Sequence, residues 1–283
     1  LLDRRTFLGT ITAAALLSKG LASAFAPRND HEDAHKIATI GLQLYTLRAE
    51  MKQDFEGTLS NVAAIGYREV EFAGYFEKSP KDVRAALDRH GLIAPSSHFA
   101  YASLSTEKWP RILEDSKTIG HSYVVISSVD DDLKKHADGW KRAAEAFNRA
   151  AEASKKAGIQ FAYHNHDVEF RTVDGKLPYA ILLSECDAEL VKMEMDLGWV
   201  FVAGADPLSY FDKYPGRFPL VHVKDFTQDK KMKNVGNGVI DWKKIFAASG
   251  KAGIKHYFVE NDEPQSASDD IRSSFEYLKK LRF

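Results

Sequence analysis

Residues 37–283 read as short apolar runs separated by amphipathic segments. The runs at 37–46, 67–72, 92–99, 122–128, 159–166, 190–197, 218–226 and 255–261 fit strands. Residues 67–72 alternate strictly, and 122–128 have the continuous apolar character of a strand covered on both faces. Between them, segments 55–65, 81–90, 106–119, 139–157, 178–184, 207–213, 241–248 and 268–280 fit helices. Gly66, Gly91, Gly120 and Gly158 close four of these. Pro80 and Pro207 stand where a first helical turn accepts proline, and Ser268-Asp269-Asp270 caps the last helix. Strands and helices thus alternate with a repeat of about 30 residues, as βαβ units require. Eight units without a composition break predict one α/β domain, residues 37–283, closed as a single (β/α)8 TIM barrel. No G-x-G-x-x-G follows the first strand, and Gly236-Asn237-Gly238 is an isolated turn, so a dinucleotide site is not expected.

Residues 1–36 follow another pattern. A charged start at Asp3-Arg4-Arg5 leads into a mild apolar stretch over residues 10–17. Small-residue exits follow at Ala22-Ser23-Ala24 and Ala24-Phe25-Ala26. This is the form of a secretory signal peptide over residues 1–26. Its Arg-Arg-x-Phe-Leu core resembles a twin-arginine export signal, which implies a periplasmic or otherwise exported protein. Cleavage after Ala24 is favoured over Ala26, because Pro27 follows Ala26 directly. The apolar stretch is short and Lys19 interrupts it, which argues against a membrane span. Residues 27–36 read as a polar linker. The twin-arginine route carries folded proteins, which is consistent with loading a metal before export.

Composition narrows the chemistry. The 283 residues carry a formal charge of −1 with no long basic stripe, so a nucleic-acid partner is not expected. The lysine-dense run Lys230-Lys231-Met232-Lys233 reads as an exposed loop. The single cysteine, Cys186, excludes a disulfide within the chain and reads as an inert structural thiol.

Function in such a barrel sits at the C-terminal ends of the strands. Strand two supplies Glu69 and Glu71 there, strand three His98, and strand five His164 and His166. Strand six supplies Glu194 and Asp196, strand seven His222, Lys224 and Asp225, and strand eight Glu260 and Asp262. Glu69 fits a lower-barrel ion pair and Asp225 a turn cap. Inward charges are costly unless paired, and a shared divalent metal would hold several of them together. His164, Asp196, His222 and Glu260, from four different strands, are the candidate metal ligands. Gln43 and Tyr45, at the end of strand one, are candidates for substrate hydroxyls.

The strings YHNHDVEF, MEMDLGWV, LVHVKDF, VGNGVIDW and FVEND resemble the xylose isomerase-like barrel superfamily, in its sugar phosphate isomerase/epimerase branch. The resemblance spans residues 37–283. It implies a divalent metal (Mn, Zn, Mg or Co) held by Glu, Asp, His and Glu from strands five to eight. Asp196, His222 and Glu260 match the last three; His164 stands in place of the strand-five Glu. That Glu is one of two acid/base carboxylates in ketose epimerases, and His164 cannot reproduce a symmetric carboxylate pair.

The expected activity is a metal-dependent sugar isomerase or epimerase working through an enediolate on a keto- or aldo-sugar. Glu260 is the candidate base or ligand, and Lys224 the candidate stabiliser of the enolate oxygen. His166, Glu71 and Glu169 are candidate second proton carriers. His98, Gln43, Tyr45, Trp199 and Glu169 are the candidate substrate contacts. The same enolate could expel a β-substituent, making a lyase on a keto-sugar or keto-glycoside; export argues against a phosphorylated intracellular substrate. A non-catalytic sugar-binding barrel is a third reading, and a phosphodiester hydrolase is disfavoured by the balanced charge. The expected partner is a small carbohydrate, with no nucleic acid and, after signal removal, no membrane. Such barrels often form homodimers.

Overall fold

The computed structural model describes residues 35–105 and 107–283. The expected signal peptide over residues 1–26 and most of the expected linker lie outside the described residues. At the linker's end, His35 exchanges backbone hydrogen bonds with Phe283, 2.8 and 3.0 Å long.

Among the described residues ten strands run in chain order: β1 Gly41–Gln43, β2 Glu69–Phe72, β3 Ile93–Phe99, β4 Tyr123–Ile126, β5 Gln160–His164, β6 Val191–Asp196, β7 Leu220–Val223, β8 Asp225–Phe226, β9 Met232–Lys233 and β10 His256–Val259. Eight close a parallel barrel in the order β1-β10-β7-β6-β5-β4-β3-β2, and β8 and β9 form a separate antiparallel pair. Helices lie between successive barrel strands, as the alternation predicts. Phe55–Ile65 has the predicted bounds, capped by Asp54, whose side chain accepts from Gly57 N–H.

Period two divides every barrel strand. Residues such as Val70, Phe161, Met193, Val221 and Val259 face outward and join the main core against the helices. The opposite parity faces the barrel axis. There Tyr123, Val125, Ala162, Leu220 and Phe258 form a separate apolar plug. Above the plug the same parity carries Glu71, His98, His164, Glu194 and His222, so the polar cluster rests on an apolar floor. Below it, Glu69 pairs with His256 across 2.9 Å.

The strands are shorter than their apolar runs, for local reasons. β1 stops at Gln43, whose side chain accepts from Tyr45 N–H and opens the 3-10 helix Leu44–Leu47. β5 stops at His164, because the Asn165 side chain takes the Asp196 backbone N–H at 3.2 Å. The single strand expected over 218–226 is broken at Lys224. Asp225 and Phe226 turn away to pair with Lys233 and Met232, so the lysine-rich run is half of a hairpin rather than wholly a loop. Asp225 is a cap: its carboxylate accepts from the N–H groups of Phe226, Gly236 and Gly238 and from Trp242 Nε1. A Cβ at Gly238 would lie 2.0 Å from that carboxylate, so this turn requires glycine. No described helix is long and apolar enough to cross a membrane.

His121 makes the fold pH-sensitive away from the cluster. It is buried just after the helix Lys108–Ile119 and its C-cap Gly120, with Nδ1 2.7 Å from Ala94 O and Nε2 3.0 Å from Tyr75 Oη. Nδ1–H therefore donates to the carbonyl and Nε2 accepts from the hydroxyl. Burial pushes its pKa down to about 4. The unfolded chain, with an ordinary histidine near 6.5, binds this proton more readily, so its contribution is present above pH ~6.5 and is lost as pH falls toward 4. The expected loss by pH 5 is about 2 kcal/mol. Urea unfolding of wild type and His121→Gln at pH 7 and pH 5 checks this; parallel losses in the two proteins would contradict it.

Candidate metal centre and active-site cavity

The candidate residues converge at the C-terminal end of the barrel because register stacks them. His164 lies beside Glu194 and Asp196 beside His222, while Phe258 lies beside His222 and sets Glu260 just above. Asp196 also caps the helix Leu197–Val202, accepting from Trp199 N–H at 2.8 Å through Oδ1. That bond leaves Oδ2 facing the cluster. Gly198 lets this helix approach: a Cβ there would meet Lys224 Cβ at 2.6 Å.

Two overlapping groups of donor atoms result, each with its atoms within 4.8 Å of one another. The upper group is Asp196, His222 and Glu260. His222 Nδ1 is 2.7 Å from Glu260 Oε2 and 3.7 Å from Asp196 Oδ2, and His164 Nε2 is 3.7 Å from the same Oδ2. The lower group is His98, His164, Glu194 and His222. Three imidazole nitrogens approach Glu194 Oε2, at 2.6, 3.1 and 3.3 Å. Beneath it, Glu71 Oε2 accepts from Gln43 at 2.7 Å and lies 2.7 Å from His222 Nε2. Lys224 Nζ sits among Asp196, Glu260 and Asp262 at 3.0, 2.9 and 2.9 Å.

The electrostatics follow from burial and these contacts. Burial opposes charge on Lys224, but Asp196, Glu260 and Asp262 outweigh it and raise its pKa well above the ordinary value. Burial likewise opposes charge on His222, which Glu194 and Glu260 override, so it is held protonated. His98 behaves the same way between Glu71 and Glu194, reaching about 10. Burial and the neighbouring His222 keep His164 neutral, with its pKa well below the ordinary value. Burial raises Asp196, while Lys224 and His222 overcome burial and hold Glu260 well below the usual carboxylate range. Burial and the Glu71 charge lift Glu194 to about 7; burial and Glu260 lift Asp262 to about 7.

A divalent cation fits this donor set. Asp196 Oδ2, Glu194 Oε1 and Glu71 Oε1 are buried and accept no hydrogen bond; Lys224 lies near Oδ2 but off the line of one. Buried carboxylate oxygens that accept no hydrogen bond are costly; at Asp196 Oδ2 the Lys224 ammonium, 3.0 Å away, offsets part of that cost, and a divalent ion would offset the rest. Neutral His164 already offers a lone pair. His222 would release a proton on binding metal, which couples affinity to pH. The donor set opens to the cavity through His164 of the lower group and Glu260 of the upper, as a catalytic site with an open position requires. Glu71, His98 and Glu194 lie below and would orient the imidazoles from behind.

The cavity has a volume of about 690 Å³. Its wall includes Tyr45, His98, His164, His166, Trp199, Lys224 and Glu260. Gln43, Glu71, Glu169, Asp196 and His222 are fully buried behind that wall. Gln43 is held by Glu71 and Tyr45 N–H. Glu169 bonds Tyr163 Oη and accepts His166 N–H at 2.9 Å, which fixes the loop that presents His166. Neither ring nitrogen of His166 hydrogen-bonds among the described residues, and burial with the nearby Lys224 charge brings its pKa down to about 4. The structure adds Asp262, Ser127, Ser128 and Lys134 to the wall and Glu194 to the cluster. The alternation that marks Asp196 and Glu260 also marks Glu194 and Asp262; Lys134, on the short helix Asp131–Lys134, has no signal beyond following a strand end.

Comparison with known proteins gives a consistent picture. The family model described as xylose isomerase-like TIM barrel matches residues 59–281. Inosose dehydratase of Lacticaseibacillus casei is 26% identical over 266 residues, covering 81% of this chain and 87% of that protein. The crystal structure of a sugar phosphate isomerase/epimerase from Parabacteroides distasonis superposes with a TM-score of 0.73 at 29% identity, covering 87% of this chain and 95% of the other. The IOLI protein, crystallised with a bound zinc atom, shares the fold with a TM-score of 0.68 at 15% identity, covering 84% and 95%.

Proposed function

The chain belongs to the xylose isomerase-like TIM barrel family, and on that premise we propose a metal-dependent lyase that removes the proton α to a ketone of a sugar or cyclic polyol and eliminates the β-substituent. His164, Asp196, His222 and Glu260 would hold the ion. A divalent ion there supplies positive charge that lowers the energy of an enediolate oxygen. The chain's own groups do the rest. The α C–H bond breaks and its electron pair forms the C=C of the enediolate. The C=O then re-forms, the enediolate C=C pair shifts to the α,β bond, and the β C–O bond breaks with its pair on oxygen, which leaves as water or an alcohol with the proton that His166 carries.

The observation that carries this reading is the inequality of the proton-handling groups on the cavity wall. β5 and its following loop supply the imidazoles His164 and His166, whereas Glu260 and Asp262 follow β10 with Lys224 between them. Two unlike groups suit proton removal at one carbon and departure at the next; epimerisation at one carbon favours two like carboxylates. His166, neutral at pH 7 and free of internal partners, is the group assigned to carry the proton. Lys224, held cationic, adds charge beside the developing oxyanion. The dehydratase name of the 26% identical relative supports elimination. Isomerisation or epimerisation through the same enediolate is the second reading, favoured by the 29% identical P. distasonis structure. Export of the chain, and so a substrate met outside the cytoplasm, is part of the proposal.

Proton NMR in deuterated water over a panel of cyclic keto-polyols and keto-sugars tests it. Elimination with loss of the α-proton is expected; incorporation of deuterium without elimination points to the second reading. His166→Asn is expected to slow α-proton loss by about 10²–10⁴ while leaving metal content unchanged. Undiminished exchange in that variant would remove His166 from its assigned role.

A further inference from the structure

A second compartment, of about 450 Å³, lies on the same rim as the cavity. Trp199 forms part of the wall of both. The β8–β9 hairpin supplies Phe226, Met232 and Lys233 to the second, and the chain after β10 supplies Gln265. The hairpin is tied to the first cavity as well: Asp262 N–H donates to Met232 Sδ at 3.1 Å, and the Asp262 carboxylate holds Lys224.

The chemistry of this compartment is that of a sugar subsite. Trp199, half-buried, gives an aromatic surface on which the apolar face of a pyranose can pack, and the buried Phe226 ring packs against it with centroids 5.5 Å apart. Lys233 and Gln265 are exposed at its edge, and their side chains make no hydrogen bond among the described residues. They can meet hydroxyls without breaking an existing bond. Trp199 Nε1, itself buried, also lacks a partner among the described residues. An aromatic platform with a few convergent donors is how small polar ligands are held and oriented. This assigns a role to the lysine-rich run that the reacting site leaves unused.

We propose that the protein binds a two-unit carbohydrate, with the keto-bearing ring in the cavity at Glu260 and His166 and the second unit across Trp199 in the compartment beside the β8–β9 hairpin. The inference rests on the enolisation reading for what happens in the first cavity, and on the shared wall for the second. A second unit attached through the β-carbon oxygen would be the leaving alcohol.

Calorimetric titration with glucose and cellobiose, which lack the ketone and do not react, tests the compartment by itself. Wild-type protein is expected to bind cellobiose about tenfold more tightly than glucose. The double variant Lys233→Ala, Gln265→Ala is expected to lose most of that advantage while its glucose affinity stays within about twofold. Equal affinity for the two sugars in wild type, or an advantage that survives the double variant, would overturn the proposal. Deuterium exchange on keto-glucose separates the two readings: its absence in wild type contradicts enolisation, whereas the affinity ratio alone decides the second subsite.

Discussion

Asp196→Asn is expected to fold normally, to lose the divalent ion and to turn over roughly 10³-fold more slowly, the equivalent of about 4 kcal/mol of barrier. The substitution is close to isosteric. Asparagine can still accept Trp199 N–H through Oδ1, so the cap of the helix Leu197–Val202 survives. What changes is Oδ2, the buried oxygen that accepts no hydrogen bond and faces His164 Nε2 and His222 Nδ1, each 3.7 Å away. An amide there brings a donor and no charge. Elemental analysis of the purified variant and its rate of α-proton loss check the two effects together. Full metal content with full turnover would contradict the assigned ligand set. Asp196→Ala removes the cap as well, and the difference in stability between the two variants isolates it at about 1 kcal/mol.

Lys224→Met is expected to destabilise the metal-free protein by about 3–5 kcal/mol, lowering the melting temperature by on the order of 10 °C. The ammonium is buried and lies about 3 Å from each of three carboxylates, Asp196, Glu260 and Asp262. Methionine fills a similar volume and keeps the stem that packs against Gly198, so the loss is chiefly electrostatic. Without the ammonium those carboxylates face one another in a buried site, and the cost of the unpaired charge exceeds the net worth of the pairs. A saturating divalent cation supplies a compensating charge and is expected to recover a large part of the loss. Thermal unfolding with chelator and with added Zn²⁺ or Mn²⁺ measures both. An unchanged melting temperature in the metal-free variant would mean the carboxylates are protonated or solvated rather than held by Lys224.

The sequence carries the barrel because period two and period 3.6 alternate without interruption from residue 37 onward. Parity along the strands also identifies which side chains face the axis: His164, Asp196, His222 and Glu260 share that face with Glu194 and Glu71. Parity does not give height. Height comes from the stagger between neighbouring strands, and β2 and β3 shift register between Glu69 and Glu71, so Glu71 pairs with Ser96. That shift sets Glu71 and His98 in the same cluster, His98 at the cavity wall and Glu71 behind it. Strand ends were equally hidden, since Asn165 stops β5 by bonding the Asp196 backbone, a partner 31 residues away. Glu169 shows the same limit: its acidic type suggests chemistry, yet its burial against Tyr163 makes it a support for His166. The hairpin of β8 and β9 depends on the Asp225 cap, whose donors beyond Phe226 N–H include Gly236 and Trp242, 11 and 17 residues further on.

The central claim is that a divalent ion held by His164, Asp196, His222 and Glu260 enables loss of the proton α to a ketone. The most direct measurement is solvent-deuterium exchange on cyclic keto-polyols, followed by NMR with the protein as purified, stripped by chelator, and reloaded. The account predicts exchange or elimination as purified, none above background after stripping, and recovery on reloading. Exchange that persists undiminished in protein shown by elemental analysis to be metal-free would contradict it.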